Sequence, residues 1–407
     1  MTTTSQRRHP AVVVGEPPTD GVLAAPEREP TRILELALGL LLLYSVVPPG
    51  LPSFASAGQL ALVAALALAA TRRPQRDLTR SGVAWLGWAL VLLLGYLVLT
   101  TLTTPDTSIS GWPRRALRLA MVGMLLLVLI SGRLHYPALV RGAALGAAVN
   151  YVLFTAGLAP APYGAYLSGF YLDKNQAGLA YVVVGLLFLG LQRTRRSQVL
   201  VVLATTWTVW ETGSRTSLAA LACALAWLVL RPRLGLPGRL VLAGVLATGV
   251  QVLESRFAQV GAFASRFGSD VLRERIDAAS RLVLDAAPVQ GSGLGEAYVV
   301  IDDREFFFHN SYWTALVEGG WVLAAAYVAL TAVLGIGLLR REPAPTAWRA
   351  GEAANVAVLV CALRLGEVFG TTAAVLALAA GVLGTLAVRP HGDRPPGPGR
   401  SPASLPK

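Results

Sequence analysis

The chain has 407 residues, 54% of them hydrophobic and only 14% charged, with a formal net charge of +12. Soluble domains carry about 25% charged residues, and the apolar runs that recur here have the roughly 17 to 25 residues needed to cross hydrocarbon, so an ordinary soluble protein is excluded. The positive charge does not point to nucleic acid, because the arginines fall in short loops between apolar runs, where such clusters orient membrane proteins.

The expected fold class is an all-α integral membrane protein with about twelve transmembrane helices and one long external loop. Residues 1–31 are polar and Pro-rich with no signal-peptide core or cleavage site. They are expected to form a disordered cytoplasmic tail, as are residues 389–407. Between them, 32–388 reads as one polytopic domain. The apolar runs lie at about 33–48, 54–71, 81–101, 115–130, 138–158, 174–191, 198–212, 216–230, 239–254, 312–339, 350–368 and 371–388. The seventh and eighth are short enough that ten spans stay open as an alternative. Cys223 and Cys361 both fall inside runs, as buried thiols rather than a disulfide or metal framework.

Loop charge sets the expected orientation. Arg72, Arg73, Arg76 and Arg80 fill the second connection, and Arg133 and Arg141 the fourth. Arg193, Arg195 and Arg196 mark the sixth, Arg231, Arg233 and Arg239 the eighth, and Arg340, Arg341 and Arg349 the tenth. The early odd connections carry almost no charge. Both termini are therefore expected in the cytoplasm and the odd loops outside the cytoplasmic membrane.

The ninth connection, about 255–311, is the exception in length. Its six arginines and eight acids leave a charge of −2, which an exported loop tolerates. Leu272, Ile276, Ala279, Val283 and Ala286 follow 4-3-4-3 spacing, which predicts an amphipathic helix inside the loop. Arg273, Asp277, Arg281 and Asp285 recur every four residues on it, either as a solvated ion-pair ladder or with Arg273 turned to chemistry. After Pro288, Gly291, Gly293 and Gly295 suit tight turns and close backbone approach; the turn that returns the chain to the membrane is a simpler reading of them than a phosphate cradle.

His309 follows, where the polar loop enters a long apolar helix, with Asn310 and Ser311 as candidate caps. The partial positive charge of a helix N-terminus disfavours imidazolium and keeps His309 neutral, so it suits a general base. Arg215, in Glu211-Thr212-Gly213-Ser214-Arg215-Thr216-Ser217, stands alone on a short outer connection. It is read either as snorkelling to headgroups or as functional. Lys174, in Asp173-Lys174-Asn175-Gln176-Ala177-Gly178, is a cation on the side where the charge rule disfavours one. Arg364 and Glu367, three residues apart in the eleventh run, are expected to form an internal pair. Several fixed cations beside one base suit an anionic lipid substrate with a phosphate leaving group, and no Asp-x-Asp or His-Glu-x-x-His metal pattern appears in the outer loops.

These motifs, spanning about 165–330, resemble the O-antigen ligase and polymerase family of polytopic membrane glycosyltransferases. Asp173 to Gly178 is similar to that family's His-Lys-Asn-x-x-Gly helix start, with Asp in the place of His. Thr212 to Thr216 is similar to its Ser-Arg segment. Arg273-Glu274-Arg275-Ile276 with Pro288 to Gly295 resembles its Arg-x-x-Ile-Trp and glycine-rich region, although Asp277 stands where Trp is usual. His309-Asn310-Ser311-Tyr312 with Leu316, Glu318 and Gly320 is the closest match. The resemblance implies transfer of a glycan from a polyprenyl-diphosphate carrier to an acceptor hydroxyl, without metal or other cofactor. In that reading His309, Arg215 and Arg273 are catalytic, and Lys174, Asn175, Arg281, Asn310 and Tyr312 bind substrate. Polymerisation of lipid-linked repeats is the alternative within the family. A transporter is the alternative outside it, disfavoured because the charged residues of interest lie in external loops rather than at mid-bilayer; a non-catalytic scaffold would make His309 dispensable.

Overall fold

The computed structural model describes residues 32–104, 111–257, 267–340 and 346–388. Both expected tails lie outside the described residues, as does part of the long loop at 258–266. Within the described residues the chain is mostly helical, with thirteen α-helices and one two-stranded hairpin. The helices are α1 (Ile33–Leu41), α2 (Ala57–Ala70), α3 (Trp85–Thr103), α4 (Trp112–Ile130), α5 (Tyr136–Thr155), α6 (Lys174–Leu189) and α7 (Arg195–Glu211). They continue with α8 (Arg215–Leu230), α9 (Leu236–Phe257), α10 (Phe267–Ala286), α11 (Ser311–Ala329), α12 (Thr346–Cys361) and α13 (Thr372–Val388).

Every apolar run carries a helix, and α10 occupies the long connection. Four helical stretches, Trp85–Thr103, Tyr136–Thr155, Arg215–Arg233 and Ser311–Gly335, are long and apolar enough to cross a membrane by length and composition. Large apolar side chains point outward along α3 and α7, among them Trp88, Leu92 and Leu200. An apolar surface of that extent suits lipid better than water.

Two runs end earlier than their hydropathy predicts. Helix α1 stops at Leu41 rather than near residue 48, because Pro48, Pro49 and Pro52 follow and the chain turns to pair Ser45 and Val46 N–H with the Phe170 carbonyl. Helix α12 stops at Cys361 rather than 368, and residues 362–371 form an irregular connection. Gly366 lies there against the Phe308 carbonyl, where a side chain would collide.

The arginine-rich connections gather at one end of the bundle. There Arg231 and Arg340 flank the buried Glu352, Arg72 pairs with Glu35, and Arg133 donates to the Ala69 and Arg72 carbonyls. At the other end α6 and α8 touch: a side chain at Gly178 would meet Ser217, and the Ser214 Cβ would lie 3.2 Å from it. The same end holds Ser311, whose hydroxyl donates to the Leu365 carbonyl and accepts from Val368 N–H at 3.0 Å.

Candidate functional site

Three helices at this second end begin on the polar residues of the sequence motifs. The Asp173 carboxylate caps α6, accepting from Asn175 and Gln176 N–H at 2.9 and 2.8 Å. Ser214 caps α8 through Ser217 N–H at 3.4 Å, and Asn310 caps α11 through Tyr312 and Trp313 N–H at 2.9 and 3.2 Å. Such caps are worth about 1 kcal/mol each. They also fix where the next side chain emerges, which is how Lys174, Arg215 and His309 come to stand at helix mouths.

Helix α10 is seated from the other direction. Ile276 is buried with Ala297, Val299, Ile301, Phe308 and Val317, and Ala279, Val283 and Leu284 pack against them. This small core takes the middle of the predicted apolar stripe; Leu272 and Ala286 at its ends are exposed. The strands β1 (Tyr298–Ile301) and β2 (Arg304–Phe307) complete it as an antiparallel hairpin. Its turn residues Asp302 and Asp303 both have positive φ, as two-residue hairpin turns require. Arg275 reaches across to Asp302 with two hydrogen bonds of 3.0 Å.

The glycine-rich turn between α10 and the hairpin is a docking device. Gly291, Gly293 and Gly295 have φ of 90°, 106° and 94°. Ser292 N–H donates to the Val317 carbonyl (2.6 Å), Gly293 N–H to the Glu318 carbonyl (3.0 Å) and Leu294 N–H to the Thr101 hydroxyl (2.9 Å). Gly295 N–H donates to the Glu318 carboxylate at 3.0 Å. Opposite, α11 breaks at Gly319 and Gly320, and Trp321 N–H turns to the Val289 carbonyl. The N–H groups that a phosphate cradle would offer are thus spent on α11 and α3.

This packing puts Arg273 and His309 at one place. Burial pushes the His309 imidazole down to about 4; the Arg273 and Arg364 guanidinium groups push the same way, and the Asp173 carboxylate opposes them. The imidazole is therefore neutral at ordinary pH. Arg364 donates to Asp277 at 3.2 Å, which places the 362–371 connection against α10. Burial raises the Asp277 carboxyl, with Arg364 and Arg273 pulling it back. Lys174 lies over the rings of Tyr163 and Tyr166, 5.5 and 4.6 Å from their centroids. The Tyr163 hydroxyl donates to Asp173 at 2.8 Å. Burial, chiefly, and Asp173 raise that hydroxyl to about 12, while Arg273 is close enough to oppose them.

The resulting group is Arg273, Arg364 and Asp173 about His309, with Asp277 paired to Arg364 and Lys174 seated on the Tyr163 and Tyr166 rings beside Asp173. Arg215 opens α8 at the same end. Asn175 stands in the first turn of α6, beside Lys174. Arg281 lies two turns along α10 and is exposed. Asn310 is engaged as a cap, and the Tyr312 hydroxyl donates to the Leu359 carbonyl at 2.9 Å, facing α12 rather than the loop. The expected Arg364–Glu367 pair does not form: Glu367 turns the other way, to Arg115 and Arg118 of α4.

No family model matches the sequence, and no curated protein matches it.

Three contributions to the site were not anticipated from the sequence. Arg364 and Tyr163 enter the site from connections with no motif, although the cluster Tyr163, Tyr166, Phe170 and Tyr171 in a loop was a visible signal. The third is the buried pair of Arg115 and Glu318, joined by hydrogen bonds of 3.0 and 2.8 Å, which holds the glycine turn from below. Its signal was Arg114, Arg115 and Arg118 in an outer helix start.

Proposed function

We propose that the chain is a polytopic membrane glycosyltransferase, with about twelve spans and both termini in the cytoplasm. On this reading it moves a glycan from a polyprenyl-diphosphate carrier to an acceptor hydroxyl at the outer face of the cytoplasmic membrane. The observation that carries the reading is the neutral His309 standing within the field of two guanidinium groups, Arg273 and Arg364.

The chemistry then runs as follows. His309 accepts the proton of the acceptor hydroxyl as its oxygen bonds to the anomeric carbon of the donor sugar. The bond from that carbon to the diphosphate oxygen breaks, and the diphosphate leaves with the electron pair. Arg273 and Arg364 hold the charge it gains, which fixed donors stabilise most when they are oriented beforehand. Lys174 and Arg215, at the same end of the bundle, extend the cationic surface toward the rest of the carrier head, and Asn175 adds a neutral amide beside Lys174. A bound diphosphate would also neutralise the guanidinium charges that hold the imidazole down, so the donor itself would strengthen the base.

The test is glycan transfer by purified protein in liposomes, supplied with a polyprenyl-diphosphate glycan. Loss of transfer in His309→Ala and Arg273→Ala is expected, with folding checked by melting temperature. Retained activity in His309→Ala would sink the proposal.

A further inference from the structure

A cavity with a lining part polar and part apolar lies beside the site. It has a volume of about 260 Å³ and is walled by residues 42–45 after α1, by α2, α4 and α6, and by the 362–371 connection with the start of α13. Among its lining residues are Ser45, Gln59, Arg118, Gln176, Glu367 and Thr372. The amides of Gln59 and Gln176 make no side-chain hydrogen bond among the described residues. Arg118 donates to Glu367, so the wall presents a cation and an anion that cancel.

The cavity shares two partitions with the candidate site. One is the first turn of α6, where Asp173 acts on His309 and Gln176 lines the cavity. The other is the 362–371 connection, where Gly366 packs on the Phe308–His309 backbone and Arg364 reaches Asp277. The next residue after Gly366, Glu367, turns to the cavity side.

We propose that this cavity seats one sugar ring of the glycosyl acceptor, an assignment that rests on the glycosyl-transfer reading above. Unpaired amides and a cancelled ion pair offer many hydrogen bonds and no net charge, which fits vicinal hydroxyls. Inorganic phosphate would meet Glu367 as well as Arg118. A lipid chain would leave the amides unsatisfied, which is costly in a low-dielectric wall; the apolar groove of about 300 Å³ between α3, α4 and α13 suits a chain better. The volume is near the low end of ligand pockets, which start at about 300 Å³, and so admits one ring rather than a chain of them. The assignment also gives the amino-terminal helices a task in choosing the acceptor.

The test is saturation-transfer NMR on the full chain in nanodiscs, using methyl glycosides of glucose, galactose, mannose, rhamnose and N-acetylglucosamine as probes. At least one glycoside is expected to bind, about five-fold more weakly for each hydrogen bond removed by Gln59→Leu or Gln176→Leu. Ser45→Phe, which fills the cavity while leaving both amides in place, is expected to abolish the signal. Absence of any glycoside signal sensitive to these cavity variants overturns the proposal, as does displacement of the glycoside by inorganic phosphate. Transfer in liposomes without such binding retires the cavity alone. Variant-sensitive binding with no transfer retires the enzymatic reading and leaves a sugar-binding cavity.

Discussion

At the scale of single residues, His309 carries the sharpest consequence. An imidazole held at about 4 stays neutral through the range in which an ordinary histidine, near 6.5, charges. The acid limb of kcat/KM, which reports the free enzyme, is therefore expected near pH 4. Arg273 disfavours imidazolium, so Arg273→Gln should move that limb upward, toward 6.5 but short of it, because burial is the larger cause. A limb that does not move would separate Arg273 from the base. The same shift bears on stability with a fixed sign: as pH falls through 6.5 the unfolded chain binds a proton that the folded chain refuses until about 4, so acid destabilises the fold across that window. Arg364→Ala is expected to lower kcat by about 10²- to 10³-fold, the usual loss on removing one oriented donor. Arg281→Ala, at an exposed position of α10 one turn beyond Asp277, should leave transfer near wild type. Sequence spacing drew Arg364 toward Glu367, three residues away, whereas its partner Asp277 is 87 residues distant. Nothing local encodes that choice; it follows from where α10 docks.

At the scale of elements, the glycine turn and the break in α11 form a matched pair. A side chain at Gly320, with φ of 61°, would collide with the Val289 carbonyl and the Gln290 backbone. Gly320→Ala is expected to cost roughly 1–3 kcal/mol from the left-handed conformation, before any cost of the collision. It should lower the melting temperature and loosen α10 together. Beneath this joint, Glu318 is 3% exposed and bound to Arg115 and to Gly295 N–H. Removing one partner of a buried pair costs about 3–5 kcal/mol, so Arg115→Ala should be the more damaging of two changes when set beside Arg114→Ala, whose side chain is exposed. Thermal unfolding in detergent reads both. Element positions were largely legible: each apolar run produced a helix, and the stripe at Ile276, Ala279 and Val283 found its core. Element ends were less so, because α1 and α12 stop where tertiary contacts to Phe170 and Phe308 reward leaving the helix, and hydropathy averages over such points. The β1–β2 hairpin was hidden by its Asp302–Asp303 turn, which lacks the usual glycine.

At the scale of the whole molecule, two chemically distinct ends organise the bundle. Arginine pairs and carbonyl contacts close one end, and the histidine, its cations and the cavity occupy the other. The alternation of loop charge anticipated this division without any coordinates, since it depends only on which connections carry arginine. If the end that holds His309 faces outward, Arg281→Cys should react with a membrane-impermeant thiol reagent added outside intact cells, and Arg193→Cys only after permeabilisation. Both positions are exposed, and the native Cys223 and Cys361 are buried. Reversed labelling would put the site on the cytoplasmic side. What loop charge could not supply is the third dimension, in which Arg273 and Arg364 act on His309 while the Tyr312 hydroxyl faces α12. The central claim is that this meeting of one neutral base and two guanidinium groups transfers glycans. The most direct measurement is product formation by reconstituted protein from a polyprenyl-diphosphate glycan, comparing wild type with a folded His309→Ala variant. Transfer by the wild type and its loss in the variant is the predicted result; equal transfer by both would contradict it.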